Sequence, residues 1–548
     1  MIKRSVILLL TSSLLFSALL APERDAFAGE PGNDGFPGFI VYSSPDLLRF
    51  EEMVEASKSA EPPPAILSRL ETILATPIIS NEAYLAGAQP RLATNDKLGA
   101  FIRVGQWNIQ RGDNIEDIKI ALAAPDQFLE GIKARPGSPA YRQAQEELLA
   151  LRSTDVLVLN EVDLGIKRTG YHDIAREMAQ ALNMNYAYGV EFIEIDPLTL
   201  GIEQFRHEDS KVKREEMRRA IEVEPELYRG LHGTAVLSRF PIRRAALVPL
   251  KYKPYDWSSE ERERISIAEV ARRRLGRVAF LENKPREIRL GGRSLLVAEL
   301  EIPQLPEGAL TIAATHLENR CGASERKEQL KEVLSLIKEI RGPVVLAGDL
   351  NTSGSNLKPT SFKKEIFRRL KDKAFWAKRA LKSALPLGFA FDFVLTAATF
   401  THTVHDPTSK GIFILGPNKE KGLFNELERM RFADGYAFDF RGDAARTING
   451  TEGTLANSNQ RSRKKGFITT HAMERTYWAV GKNKLDWLLV KAYARDPRSE
   501  SEPYRMAPHF ARTLEKINYA TGKRLSDHNP ITVDLPVDEP DARKFTRP

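Results

Sequence analysis

Short apolar runs recur along the chain from Phe101 onwards: Phe101–Val104, Val156–Leu159, Thr234–Leu237, Ser294–Leu300, Leu310–Ala314, Val344–Ala347, Leu485–Val490 and Ile531–Leu535. Runs this short, closed by polar or turn-forming residues, predict β-strands. In the last run apolar Ile531, Val533 and Leu535 alternate with Thr532 and Asp534, the period of a half-buried strand. Between the runs lie helix-like stretches such as Gln143–Leu151. Strands interleaved with helices predict an α/β domain built in layers.

Several segments depart from this texture. Residues 191–228 and 252–290 are rich in Arg, Lys and Glu, and residues 355–482 are far longer than a connecting loop, so all three read as insertions. Residues 39–97 carry a helical rhythm (Leu47, Leu48, Phe50, Met53, Val54) broken by Pro62-Pro63-Pro64. We read 29–98 as an extension wrapped on a main domain spanning 99–538, and 539–548 as a tail. At the start, Lys3 and Arg4 precede an apolar run from Val6 to Ala21, followed by Ala26-Phe27-Ala28. This is the form of a secretory signal peptide cut after Ala28, the alternative being an uncleaved anchor. The mature protein is expected in the periplasm or outside the cell, as a monomer.

Composition adds limits. The 548 residues are 42% hydrophobic and 28% charged, which suits a globular protein with a real core. Lys and Arg outnumber Asp and Glu by 81 to 73, a mild bias compatible with an anionic partner such as nucleic acid or a lipid surface. Cys321 is the single cysteine, which excludes an intramolecular disulfide and a thiolate metal site.

The candidate chemistry sits where apolar runs end. These ends deliver Asn108, Glu161, Thr315-His316 and Gly348-Asp349-Leu350-Asn351, and the final run is preceded by Ser526-Asp527-His528-Asn529-Pro530. One such carboxylate is ordinarily a solvated loop residue or a helix cap; five polar endings in one chain call for a shared purpose. Mg²⁺ takes oxygen ligands and retains waters, so one or two carboxylates suffice to hold it. Glu161 suits the main ligand, with Asn108 and Asp527 beside it, and Mn²⁺ or Ca²⁺ could substitute. Asp349 and Asn351, one residue apart, would share a face in extended backbone. There the carboxylate could position or deprotonate a water and the amide donate to a phosphoryl oxygen. His528 and His316 can donate to phosphate or carry protons near neutral pH. Asp486, in Lys484-Leu485-Asp486-Trp487, would orient an imidazole and stabilise its charged form.

The ordered series Trp107-Asn108-Ile109-Gln110, Asn160-Glu161-Val162-Asp163, Gly233-Thr234-Ala235 through Ser238-Arg239-Phe240-Pro241-Ile242, Thr315-His316-Leu317, Gly348-Asp349-Leu350-Asn351 and Ser526-Asp527-His528-Asn529-Pro530 resembles the endonuclease/exonuclease/phosphatase superfamily. The resemblance covers residues 100–350 and 484–536. It implies a four-layer α/β/β/α sandwich of two packed sheets with outer helices. It also implies a phosphoester hydrolase in which Glu161, Asn108 and Asp527 hold the metal and Asp349 aligns the attacking water. Asn351 would hold the phosphoryl group, His528 would contact the scissile phosphate under the orientation of Asp486, and His316 would assist the leaving group. Thr234 departs from the pattern, standing where many members carry an amide.

The favoured substrate is a nucleic acid. A phospholipid or sphingomyelin, a sugar or inositol phosphate, and an inactive binding scaffold are the alternatives. Arg168 is a candidate for reaching substrate phosphate, and the basic run Arg461–Lys465 reads as a solvated loop. Gly411 and Gly416 have the spacing of a phosphate-binding loop, but Pro417 replaces the required lysine. Asn351-Thr352-Ser353 matches a glycosylation sequon, and modifying a site amide would defeat the site.

Overall fold

A computed structural model of the protein describes residues 40–59, 61–88, 90–196, 222–262, 288–305, 307–353, 418–441, 446, 469–477, 480–493, 495–496 and 505–538. The expected signal peptide, the run Arg461–Lys465 and most of the long insertion lie outside these residues.

Two mixed sheets dominate the unit that begins at Phe39. The main path of the ten-stranded sheet runs Tyr42–Ser43 (β1), Ile78–Ser80 (β2), Asn185–Glu194 (β6), Leu231–Ser238 (β7), Val156–Leu164 (β5), Gly99–Asn108 (β4), Ile531–Pro536 (β18) and His509–Thr513 (β17). Ala93–Asn95 (β3) adds to β4, and Arg289–Gly291 (β9) adds to β6. The six-stranded sheet runs Ala437–Phe438 (β13), Asp486–Ala492 (β16), Val344–Asp349 (β12), Ala309–His316 (β11), Ser294–Glu301 (β10) and Ile242–Pro249 (β8). A separate ribbon joins His471–Tyr477 (β14) to Val480–Asn483 (β15).

Each large sheet contains one parallel pair, β4–β5 and β11–β12. Parallel neighbours need a long crossover, and helices Pro139–Arg152 and Ala323–Ile337 lie in the two connections. Period-two alternation then sorts the apolar side chains. Val156 and Val158 face the core between the sheets, with Leu296, Ile312, Val345 and Leu488. Leu157 and Leu159 face the other way, onto an outer core with Ile118, Leu148 and Met178 from the helices. The second sheet is flanked by Ala323–Ile337, which buries Leu330, Val333 and Ile337, and by Lys421–Arg429, which buries Leu423, Phe424 and Leu427.

Three expectations change. The stretch expected to wrap the domain supplies strands β1 to β3 to the ten-stranded sheet, and its helices bury Met53, Ile66 and Leu70 in the outer core. Every residue of β18 is buried, not every second one; Asp534 is accommodated there by a two-pronged contact from Arg103 (2.6 and 2.8 Å). The boundaries at 191 and 482 also shift in meaning. Strand β6 continues, fully buried, to Glu194, and Ala437–Phe438 from the long segment pairs with β16 as an edge of the second sheet.

Candidate active site

The parallel pairing of β4 with β5 ends at Asn108–Asn160 and that of β11 with β12 at His316–Asp349, and these residues with Glu161 carry the chemistry. In β5 the pairing to β7 jumps from Leu159–Ala235 to Val162–Gly233, so Asn160 and Glu161 together oppose Thr234. This is a β-bulge, and Glu161 adopts a φ of 54°, which turns its side chain out of the regular pleat. At the end of β12, Gly348 has a φ of 146°, and a Cβ there would stand 1.8 Å from the Thr315 carbonyl oxygen. Only glycine fits so close to a neighbouring strand. The chain then turns tightly: the Asp349 amide donates to Asn160 Oδ1 (2.9 Å), and the Asn351 amide donates back to Asp349 Oδ1 (2.8 Å).

Asn108 stands between two acids. Its Nδ2 donates to Glu161 Oε1 (3.2 Å) and to Asp349 Oδ2 (3.1 Å), while its Oδ1 accepts from the Gln110 amide. Burial works to raise the Glu161 carboxyl, but the Arg111 guanidinium and the imidazoles of His232 and His528 outweigh it and hold Glu161 below the ordinary carboxylate range. Asp349 goes the other way. Burial first, then the negative charge of Asp486, pushes it up to about 7 against the pull of His528.

The loop before β18 is pinned into the same edge. The Ser526 hydroxyl donates to the Asn108 carbonyl (2.7 Å), Trp107 Nε1 donates to the His528 carbonyl (2.9 Å), and Asn518 Nδ2 donates to the Ser526 and His528 carbonyls. His528 Nδ1 donates to Asp486 Oδ2 at 2.7 Å, and its Nε2 lies 3.8 Å from Asp349 Oδ2. Burial disfavours a charged imidazole, yet the Asp486 carboxylate more than offsets this and His528 is pushed up to about 10. Asp486 is itself drawn below its usual range. Its burial is outweighed by the charge and hydrogen bond of His528 and by bonds from Thr470 and Gln106.

His316 has the opposite environment. It pairs in register with Asp349, and its Nε2 lies 3.7 Å from Asp349 Oδ2. Its Nδ1 meets Arg293 Nη1 at 2.8 Å. Burial, then the Arg293 charge, holds the imidazole well below its ordinary value.

The structure therefore brings Asn108, Glu161, His316, Asp349, Asn351, Asp486 and His528 to one edge. The Asn351 amide is anchored by donation to the Leu317 carbonyl (2.7 Å) and is buried, in keeping with an accidental sequon. Asp527 is the most open member, with its carboxylate 4.0 Å from His528 Nε2 and 3.8 Å from His471 Nε2. Arg168 does not face this edge as a solvent-reaching cation. Its guanidinium grips Asp163 (2.6 and 2.9 Å) and Glu194 (2.8 and 2.9 Å), because those buried carboxylates need a compensating charge. Thr234 is equally committed, donating to Glu191 and accepting from Asn160.

Gln106, Asn160, Thr470 and His471 also join the site without a clear sequence signal, as do the charged neighbours Arg111, His232 and Arg293. Gln106 Nε2 bridges Asp486 Oδ1 (3.0 Å) and Asn160 Oδ1 (3.1 Å), tying the two sheets together under the site. Its signal was a polar residue inside an apolar strand. Asn160 was visible only as the neighbour of Glu161. Thr470 and His471 lie in the long segment, where the sequence offered no strand to anchor them. His471, Asp527 and His528 form one cluster of potential metal-ligating atoms within 4.8 Å of one another, and Asp349, Asp486 and His528 form another.

Two mixed sheets packed face to face, with acids, amides and imidazoles gathered at one edge, define the metal-dependent phosphoester hydrolases as the class. The chain belongs to the Endonuclease/Exonuclease/phosphatase family, whose model matches residues 105–528. No curated protein sequence matches significantly. Among solved structures, an endonuclease/exonuclease/phosphatase from Beutenbergia cavernae is 17% identical, with 80% of this chain and 71% of that one covered and a TM-score of 0.35. A 3′ phosphatase from Neisseria bound to product DNA hairpin is 12% identical (79% and 99% covered, TM-score 0.33). The human Nocturnin catalytic domain with bound sulfate is 14% identical (79% and 93% covered, TM-score 0.31).

Proposed function

We propose that this protein is an exported, Mg²⁺-dependent phosphodiesterase that cleaves nucleic acid by in-line attack of water. The observation that carries the reaction is the His528–Asp486 pair, a buried imidazole held charged and facing Asp349 across 3.8 Å. A cation at that position stabilises the negative charge that builds on the phosphoryl oxygens. Asp349, raised to about 7, is poised to accept the proton of an attacking water near neutral pH. The second N–H of the Asn351 amide is the donor for a phosphoryl oxygen.

The donors around Asn108 fit a hard divalent cation. Glu161 is held ionised and Asp527 offers a further carboxylate, while Asn108 turns its Nδ2 to Glu161 and its Oδ1 to the Gln110 amide and would have to turn its amide over to serve as a ligand; water and substrate phosphate would complete the shell. When bound there, Mg²⁺ would supply Lewis-acid stabilisation of the phosphoryl oxygen.

Nucleic acid is favoured by the basic balance of the chain; a cavity of about 550 Å³ beside the site loop carries Lys133, Lys482 and Lys516 against one acid, Glu515, on a wall otherwise largely of alanines. The test is a substrate panel of single- and double-stranded DNA, RNA, sphingomyelin vesicles and sugar or inositol phosphates, with and without chelator. Cleavage of DNA or RNA that needs Mg²⁺ and weakens steeply with added salt is expected. Preferential turnover of vesicles or small phosphates, or a nuclease rate indifferent to salt, would overturn the nucleic-acid assignment. Sequencing the N-terminus of the secreted protein tests export and cleavage after Ala28.

A further inference from the structure

His316 ends β11 with one ring nitrogen satisfied and the other not. Arg293, at the loop leading into β10, is 4% exposed and places Nη1 2.8 Å from His316 Nδ1. The same Nη1 donates to Glu191 Oε2 at 2.8 Å, and Arg293 Nε lies 3.4 Å from Glu318 Oε2. Both acids are themselves held. Glu191 accepts from Thr234, and Glu318 accepts from Trp257 Nε1 (3.0 Å). The Phe192 ring, 5.2 Å from the guanidinium carbon, packs on the same cation. Arg293 thus has a built position between two carboxylates, an aromatic face and one imidazole nitrogen.

A guanidinium has N–H donors and no acceptor. Whatever faces Arg293 Nη1 must offer a lone pair, so His316 Nδ1 carries no proton. The remaining proton of a neutral ring then resides on Nε2. That atom is buried, lies 3.7 Å from Asp349 Oδ2 and has no hydrogen-bond partner among the described residues. A buried donor without an acceptor is destabilising, and an incoming oxygen would relieve it.

We propose that Arg293 is a positioning residue that fixes His316 as a neutral Nε2–H tautomer, so that His316 donates a hydrogen bond, rather than a proton, to a phosphoryl or leaving-group oxygen. The inference rests on the phosphoester-hydrolase reading of the site and separates its two imidazoles. His528 supplies positive charge, and His316 supplies a directed neutral dipole. No bond to hydrogen at His316 breaks during the reaction: the attacking water's proton goes to Asp349, the P–O bond breaks, and the leaving oxygen, held by the His316 hydrogen bond, takes its proton from solvent water.

Long-range ¹H–¹⁵N correlation NMR on the full chain reads the tautomer directly, with the His316 signals assigned by their loss in His316→Gln. A neutral ring protonated at Nε2 at neutral pH is expected. A proton on Nδ1, or on both nitrogens, would overturn the proposal. In a folded Arg293→Met variant the tautomers should mix, and Arg293→Lys, which keeps a donor and a charge, should restore the Nε2–H form. An unchanged tautomer in Arg293→Met would remove Arg293 from its role. Should the Met variant fail to fold, the wild-type and Lys spectra still decide.

Kinetics give an independent reading. In His316→Gln the amide N–H can stand near the place of Nε2–H, with nothing left to titrate. Its kcat should stay within about tenfold of wild type, whereas His316→Ala should lose about 100-fold with KM little changed. Equal losses in both would mean that His316 transfers a proton, against the proposal. A protein inactive on the whole substrate panel would sink the functional reading while leaving the tautomer measurable. An active protein with the wrong tautomer would do the reverse.

Discussion

Replacing Asp486 by Asn isolates the charge that His528 depends on. The side chains have nearly the same shape, and the amide can still meet His528 Nδ1, so packing around β16 is retained. What disappears is the carboxylate 2.7 Å from the ring, the main influence holding His528 at about 10 against its own burial. A return to about 6.5 would correspond to an upper bound of about 5 kcal/mol in the coupling. Since burial alone would lower the imidazole further, the loss of charge at neutral pH should be at least this complete. At pH 8 only about 3% of such an imidazole is protonated, so the charge effect alone should slow turnover about 30-fold. Loss of ring orientation adds to this, and a total near 10³ is expected. At pH 6 at most about three-quarters of the rings would regain their proton, so the deficit should shrink there. The assay is kcat from pH 5.5 to 9 at saturating Mg²⁺ for wild type and Asp486→Asn, with the His528 titration followed by NMR. An Asn variant with the wild-type rate across that range, or a His528 that still titrates near 10, would refute the reasoning.

Other outcomes follow from the same geometry. Glu161→Gln keeps the bond from Asn108 but removes the charge, so activity at limiting Mg²⁺ should fall about 100-fold or more and recover partly as Mg²⁺ is raised; an unchanged metal titration would count against Glu161 as a ligand. Gly348→Ala should lower stability by about 3 kcal/mol or more, because the new Cβ would clash with the Thr315 carbonyl and the φ of 146° disfavours any side chain. Thermal melting and soluble yield check this, and a variant melting with wild type would show that the strand ends relax freely. Buried Glu147 accepts the Lys516 and Ile517 amides, and burial pushes its carboxyl from 4.5 to about 7. Its folded value lies above its unfolded one, so between these pH values the folded state binds more protons and stability falls as pH rises, by at most about 3 kcal/mol. Glu147→Gln should flatten that slope in urea melts at pH 5 and pH 8; parallel slopes for both proteins would exclude the effect.

Much of this molecule is written locally. The eight apolar runs are strands because short stretches of β-branched and aliphatic residues cannot stay in water, and the polar residues closing the parallel pairs fall at one edge because parallel neighbours run the same way. The motifs at Asn108, Glu161, His316, Asp349 and His528 were legible for that reason, and so was the family to which they belong. Tertiary structure decided what no local pattern carries. Asp534 reads as a solvent-facing acid and Arg168 as a free cation until the chain brings Arg103 to one and Asp163 and Glu194 to the other. The two histidines look alike in sequence, yet one lies against Asp486 and the other against Arg293, residues that precede them by 42 and 23 positions on neighbouring elements. A charge's meaning depends on distance and burial, and both are set only when remote strands close over it.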